Sequence, residues 1–365
     1  MEVDIQKTIG VLEILKRFVD PSGFVPASRL VVFQEDTILT TSVWGGCLYK
    51  GPDTFLTSPE PLGVDVMVVS DLLAALSAKR TGVMRIEKVD NTYTFHIGGR
   101  KVVFGSKIIE GSLMTYDRLK QLTRQRISGN FLPALEALSF SVSENTYKSR
   151  FGGVWYSESD QMMYASDNKR ITWMPLHSPL GTGDNFFVPA IFLKKIPGLK
   201  ADLSEIALDG GLCFFFFENF TLYFLVSVSK MPAFPDAVER VKKAALDANI
   251  YFLLALDQEK REELRATRSL YFDDRGQSSD VQLTRENDEL VVEVLHPQKT
   301  SSRSTVDRIP ILDAHGSEIN FRMDSDLFLD ACELFDTFYV APKRGVYAVS
   351  TETEVEQLIA WKGYE

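Results

Sequence analysis

The sequence predicts an α+β fold of three similar domains, each carrying two helices packed on antiparallel sheets. Helix starts recur about every 60 to 70 residues, at Asp4, Ser70, Asn130, Pro189, Asp257 and Asp324, and such a period signals a repeated architecture. Between those starts lie β-rich runs separated by short polar or glycine turns, as hairpins require. The 365 residues suffice for two or three domains with cores of their own, and the 45% apolar content suits a globular chain. Boundaries are expected near residues 120 and 246, giving domains 1–120, 121–245 and 246–365.

In chain order, Met1–Val3 reads as a short strand, Asp4 as an N-cap, and Ile5–Phe18 as an amphipathic helix with Ile9, Leu12, Ile14 and Leu15 on its apolar side. Strands follow at Leu30–Phe33 and Thr37–Trp44, split by Gln34-Glu35-Asp36. Val64–Val69 reads as a strand, Ser70 as a cap and Asp71–Ala78 as a helix. A meander comes next over Val83–Val89, Thr92–Ile97 and Lys101–Phe104. In the second round Asn130 caps a helix over Phe131–Leu138. Phe186–Val188 then leads through Pro189, suited to a first helical turn, into a helix carrying Phe192–Ile196. Leu212–Val228 is cut at Glu218-Asn219 into two strand-length pieces, a hairpin covered on both faces and not a membrane span. The third round has a strand at Ile250–Leu256, the cap Asp257 and a helix over Gln258–Leu270. Strands at Val281–Thr284, Leu290–Leu295 and Ile319–Arg322 and a helix over Leu327–Phe335 complete it.

Composition excludes several functions. Cys47, Cys213 and Cys332 are scattered, so neither a disulfide framework nor a zinc site is expected. There is no signal pattern or apolar run of spanning length, and a cytoplasmic protein without membrane contact is expected. A net charge of -10 argues against a nucleic-acid binder that uses its whole surface, yet leaves a local basic face open. The four histidines are isolated, and no P-loop, H-E-x-x-H or G-x-G-x-x-G occurs, so no enzyme and no cofactor is expected. Asp324-Ser325-Asp326 with Asp330 can be drawn as a metal site, but a capped acidic helix start explains it more simply.

The most informative stretch is Phe151–Ile171. Gly153–Tyr156 and Gln161–Ala165 form a hairpin about Ser157-Glu158-Ser159-Asp160, and Ile171–Met174 a third strand after the polar turn Ser166-Asp167-Asn168. The pieces LPALEALSFSV, FGGVWY, ASDNKRI, FFVPAIFLKKI and AFPDAVERV, from Leu132 to Arg240, together resemble the middle domain of the bacterial DNA polymerase III β subunit, the sliding clamp. ASDNKRI is similar to that family's Ala-Thr-Asp-Gly-His-Arg-Leu loop, with Asn168 and Lys169 in place of Gly and His. Phe234-Pro235-Asp236 resembles its Phe-Pro-Asp before Arg-Val, with one extra residue ahead of Arg240. The chain ends on Ala360-Trp361-Lys362-Gly363-Tyr364-Glu365 where the family commonly ends near Met-Pro-Met-Arg-Leu. That divergence leaves bacterial, phage and plasmid origins open.

The resemblance implies three clamp domains forming half of a ring, closed as a head-to-tail homodimer around double-stranded DNA. It implies a clamp loader and a replicative DNA polymerase as partners. By position it implies a partner-peptide pocket of Phe151, Ser166, Asn168, Lys169, Arg170, Ile171, Pro235, Arg240, Val241, Ile359 and Trp361, the alternative being that Phe151 and Ile171 are ordinary core. It places the ring seam at Val103 and Phe104 against Leu270, Tyr271 and Phe272, although these residues equally suit the interior of their own domains. Independently of any family, Arg261, Arg265 and Arg268 form one helical stripe. It either faces a polyanion or is a solvated face balanced by Asp257, Glu259, Glu262 and Glu263. Lys7, Lys16, Arg17, Lys79, Arg80, Lys194, Lys195 and Lys200 are further DNA-facing candidates, while Asp324, Asp326, Asp330 and Glu333 leave the last helix without a base. A clamp-fold adaptor or decoy that binds clamp-partner peptides without sliding on DNA is the alternative.

Overall fold

The computed structural model describes residues 2–19, 26–34, 37–42, 44–51, 62–90, 92–105, 107–108, 114–127, 129–142, 152–196, 202–226, 231–272, 277–295, 305–316, 319–350 and 352–360. β1 (Glu2–Asp4) runs into α1 (Ile5–Phe18). Then come β2 (Leu30–Gln34), β3 (Thr37–Ser42), β4 (Gly45–Tyr49), β5 (Leu62–Asp65) and α2 (Val66–Lys79). The meander β6 (Val83–Val89), β7 (Thr92–Ile97) and β8 (Arg100–Gly105) is followed by β9 (Lys107–Ile108), α3 (Tyr116–Lys120) and β10 (Gln125–Arg126). α4 (Phe131–Leu138) precedes β11 (Gly153–Ser157), β12 (Met162–Ser166) and β13 (Arg170–Pro175). Next are β14 (Phe186–Pro189), α5 (Ala190–Leu193), β15 (Glu205–Asp209), β16 (Leu212–Phe216) and β17 (Phe220–Leu225). The last third holds α6 (Phe234–Ala248), β18 (Tyr251–Leu254), α7 (Gln258–Thr267), β19 (Asp280–Glu286), β20 (Glu289–Leu295) and β21 (Val306–His315). It closes with β22 (Asn320–Asp324), α8 (Ser325–Leu334), β23 (Thr337–Ala341), β24 (Gly345–Val349) and β25 (Glu356–Ala360).

Four helices start the same way. Asp4, Asp65, Asp257 and Asp324 each sit in extended backbone and accept from an N–H of the first turn, satisfying a donor that the helix cannot. The second of these corrects the sequence reading. Ser70 is no cap; it lies inside α2 with its hydroxyl bonded back to the Val66 carbonyl, and Val66 to Val69 are helical. The β-branched run Val64–Val69 suggests a strand, but the buried set Val66, Val69, Leu72, Leu73 and Leu76 has helical spacing, and packing on α1 overrides propensity. The stretch Thr37–Trp44 is not one strand: β3 stops at Ser42 and a new strand begins at Gly45. Pro189 is the N-cap of α5, which ends at Leu193, and α7 ends at Thr267, before a 3-10 turn over Arg268–Tyr271. Asn130 accepts from the His177 N–H through its side-chain oxygen.

The chain packs as two compact units, Met1–Leu132 with His177–Val228, and Pro133–Leu176 with Ser229–Glu365. In the first, one sheet has the order β1-β6-β7-β8, with β8 at its edge, and a second the order β10-β15-β16-β17-β4-β3-β2-β5-β9. The β17–β4 ladder joins strands far apart in sequence, Phe224 opposite Gly45. Leu30, Val32, Leu39, Leu48, Phe214, Phe216 and Tyr223 are buried together here, so the β16–β17 hairpin packs into this core, while residues 227 and 228 of the expected hairpin lie outside the described residues. Burial pushes the Tyr223 phenol up to about 12. Its neutral form is thus favoured by folding, and that stabilisation is complete below the ordinary value near 10 and disappears between pH 10 and 12. Urea unfolding at pH 9 and pH 12 is expected to lose about 2 kcal/mol less in Tyr223→Phe than in the parent.

In the second unit the sheet order is β11-β12-β13-β25-β24-β23-β18-β21-β20-β19-β22. Here β13 pairs with β25, again across a long stretch of sequence. α7 and α8 pack on one another, and Phe252, Leu264, Leu283, Phe321, Phe328 and Phe338 belong to one buried cluster. α6, a helix that the sequence reading does not include, packs across β23, β24 and β25, with Phe234, Val238 and Ala245 buried.

Candidate functional site

The turn between β12 and β13 is built by its own side chains. Ser166 Oγ donates to the Arg170 carbonyl at 2.7 Å and accepts from the Asn168 N–H at 3.2 Å. Asp167 Oδ1 accepts from both the Lys169 and Arg170 N–H groups at 3.0 Å. Asn168 stands at φ 73°, a conformation that asparagine and glycine tolerate best, so Asn is the natural substitute where the resembling loop has Gly. The Arg170 guanidinium is buried and fully engaged. Nε donates to Asp167 Oδ2 at 3.0 Å, one terminal nitrogen to Asp330 Oδ2 at 2.8 Å and the other to the Phe140 carbonyl at 3.0 Å. Lys169 reaches the buried Asp324 at 2.9 Å, and its carbonyl accepts from the Ala360 N–H at 2.8 Å.

The β13–β25 register sorts the candidate pocket residues by face. Arg170 pairs with Ile359, Ile171 with Leu358, Thr172 with Gln357 and Trp173 with Glu356, and cross-strand partners share a face. α6 lies on the Trp173 side, where Lys242 bonds Glu356 at 2.6 Å. Ile171 and Leu358 are therefore on the α6 side, and Ile359 is on the other, 1% exposed within the core. Leu358 is thus the β25 residue beside Ile171, and Ile359 lies beside Arg170 on the opposite face. Pro235 and Val241 on α6 are half-buried and Arg240 is exposed. On the opposite face Ser141, Thr172 and Gln357 form a buried polar set, with Gln357 Nε2 at 2.9 Å from Thr172 Oγ1, which holds the ladder from beneath. Phe151 and Trp361 lie outside the described residues.

The acidic α8 is not without bases; they come from elsewhere in the unit. Arg268 donates to Asp326 at 2.7 Å and Asp330 at 2.8 Å, Arg265 reaches Glu333 at 3.3 Å, and Lys169 and Arg170 take Asp324 and Asp330. Burial alone would lower the Arg268 guanidinium, but the Asp330 and Asp326 carboxylates hold it above its ordinary value. Arg261 donates instead to the carbonyls of Leu256 and Cys332 at 2.9 and 2.7 Å and serves as a backbone anchor. Arg265 and Arg268 of the stripe are thus balanced by carboxylates of α8.

Among the other candidates, Lys7, Lys16, Arg17, Lys79, Arg80 and Lys194 are exposed, while Lys195 lies over the Phe18 ring at 5.3 Å; Lys200 is outside the described residues. Val103 is 54% exposed on the edge strand β8, where the Phe104 backbone pairs with Tyr93. Leu270 is 46% exposed and Phe272 half-buried. Tyr271 is buried in its own unit with its hydroxyl on Asp307, as the alternative of an interior place expects. Among the described residues no helix is long and apolar enough to cross a membrane.

No family model and no curated protein matches the chain in sequence. Solved structures match it over its whole length. The sliding clamp (DNA polymerase III subunit beta) of Bartonella birtlesii, bound to griselimycin, is 15% identical, covers 100% of this chain and 99% of its own, and gives a TM-score of 0.81. The DNA polymerase sliding clamp of Bacillus subtilis gives 0.80 at 13% identity, and the beta subunit from DNA polymerase of Streptococcus pyogenes 0.79 at 13%, with the same coverage. The chain therefore has a sliding-clamp fold. More narrowly, it is the fold of the bacterial DNA polymerase III β subunit, the subunit that the ASDNKRI and FPD segments resemble.

Proposed function

We propose that the protein is a DNA sliding clamp. It is a binding protein and not an enzyme, in which two copies close head to tail around duplex DNA and tether a replicative polymerase through the α6-side pocket. The observation that carries this reading is the match over the entire chain to solved clamps, at TM-scores near 0.8. Three domains, 1–120, 121–245 and 246–365, working in the cytoplasm with a clamp loader, belong to the same reading. Exposed Val103 on the β8 edge of one copy would meet Leu270 of the next, since an open apolar edge recruits another chain. Lys7, Lys16, Arg17, Lys79, Arg80 and Lys194 would supply sequence-blind phosphate contacts, which salt weakens. The adaptor reading is favoured by one observation: Arg265 and Arg268 are taken up by α8 carboxylates, leaving less positive charge for DNA there.

Retention on a nicked circular plasmid, loaded with a clamp loader or at high protein concentration, separates the two. A clamp stays on the circle in moderate salt and leaves once the DNA is linearised. Retention indifferent to linearisation, or a monomer by light scattering that never stays bound, selects the adaptor. For the pocket, Val241→Asp is expected to weaken binding of a fluorescent pentapeptide with Leu and Phe anchors at least about tenfold, read by anisotropy. Unchanged affinity would remove α6 from the site.

A further inference from the structure

The α6-side face of the second unit carries a row of aromatic rings with a repeated chemistry. At one end Trp173 and Tyr347 are stacked, centroids 6.0 Å apart and planes within 7°. Lys242 lies over both, 5.0 Å from Tyr347 and 6.0 Å from Trp173. Its ammonium donates to Glu356 Oε2 at 2.6 Å, and that same oxygen accepts from the Tyr347 hydroxyl at 2.5 Å. The set is therefore two rings, a carboxylate bonded to a tyrosine hydroxyl, and a cation satisfying both.

The row continues through Tyr339, stacked on Tyr347 at 5.7 Å, to Tyr251, 5.6 Å from Tyr339, and ends at His315, stacked on Tyr251 at 6.2 Å. Here the first three parts recur: two rings, Tyr251 and Tyr339, and a carboxylate, Asp313 Oδ2, accepting from the Tyr251 hydroxyl at 2.8 Å. Among the described residues no lysine or arginine lies over either ring. Tyr251 and Tyr339 are half-buried and Asp313 and His315 exposed, so the place is open to solvent.

We propose that Tyr251, Tyr339 and Asp313 form a docking place for a lysine or arginine side chain of a partner protein. A cation there gains from the ring faces and the carboxylate together, as Lys242 does one step along the row. A neutral apolar side chain gains only the ring contact, and Asp313 repels a nucleic-acid phosphate. The occupant is thus a basic residue of a polypeptide. The inference does not depend on the clamp reading, because it uses only the chemistry of this face.

The test is NMR of the full chain with ring-labelled tyrosines, the Tyr251 and Tyr339 signals assigned from Tyr251→Phe and Tyr339→Phe. The probes are acetyl-Gly-Lys-Gly-amide, its arginine counterpart and its norleucine counterpart. The two basic peptides are expected to shift the Tyr251 and Tyr339 rings saturably and the norleucine peptide not. Asp313→Asn, an exposed and isosteric change, is expected to weaken the basic peptides about fivefold. Equal shifts from norleucine, unchanged affinity in Asp313→Asn, or no shift of either ring by the basic peptides would overturn the proposal.

Discussion

Arg170→Ala is expected to lower the stability of the second unit by about 3 kcal/mol, seen as an earlier unfolding transition in urea. The side chain is 7% exposed and three separate groups depend on it. Its removal strips Asp167 Oδ2 and the Phe140 carbonyl of their donor, and leaves Asp330 with Arg268 alone. Burying a charge or carbonyl without its partner costs more than the pair contributed when whole. Asp330→Asn should cost less, because Arg170 keeps Asp167 and Phe140, and a double-mutant cycle between positions 170 and 330 should return a coupling of about 1 kcal/mol or more. Arg170→Lys should recover only part of the loss, since an ammonium cannot reproduce the fork. A loss below about 1 kcal/mol in Arg170→Ala would mean that water replaces the guanidinium and that the turn does not rely on it.

Gly45→Ala is expected to cost about 4 kcal/mol or more, enough to show as loss of soluble protein or a collapsed urea midpoint. Gly45 has φ 145°, and a Cβ there would stand 2.0 Å from the Tyr223 carbonyl oxygen and 2.5 Å from Phe224 Cα. Both are backbone atoms of β17, so nothing can swing aside, and the ladder that joins β4 to β17 must open. Gly10→Ala makes the same chemical change in α1, where nothing lies within 4 Å of the added carbon, and is expected to stabilise by about 0.5–1 kcal/mol. Equal midpoints for the two variants would refute the close-approach argument.

What was legible in the sequence was what is local. Asp4, Asp257 and Asp324 cap helices because an aspartate before an amphipathic run acts within four residues, and the turn at Ser166–Arg170 is written in its own side chains. The start of α2 was misplaced because Val64–Val69 has the β-branched composition of a strand, and only contact with α1 decides otherwise. The helical pattern of α6 is present in the sequence, in Pro235 at its first turn and in Phe234, Val238, Val241 and Ala245 at helical spacing, but what it packs on is fixed by strands about a hundred residues later. Ile359 enters the candidate pocket only through the position of the resemblance, and which face of β25 it takes is set by pairing with β13, far away in sequence. The counter-charges of Arg265 and Arg268 lie on a helix some sixty residues on, and no local pattern announces them.

The β13–β25 ladder also bears on how the protein is made. β25 is central in its sheet, flanked by β13 and β24, so the second unit lacks an interior strand until residues 356–360 have been synthesised. Throughout translation of the last third, β13 must wait with an unpaired edge, and pairing over such sequence distances is slow as well as prone to association with other chains. The nascent chain is thus vulnerable until residues 356–360 have emerged, and shielding of that one edge would govern its yield.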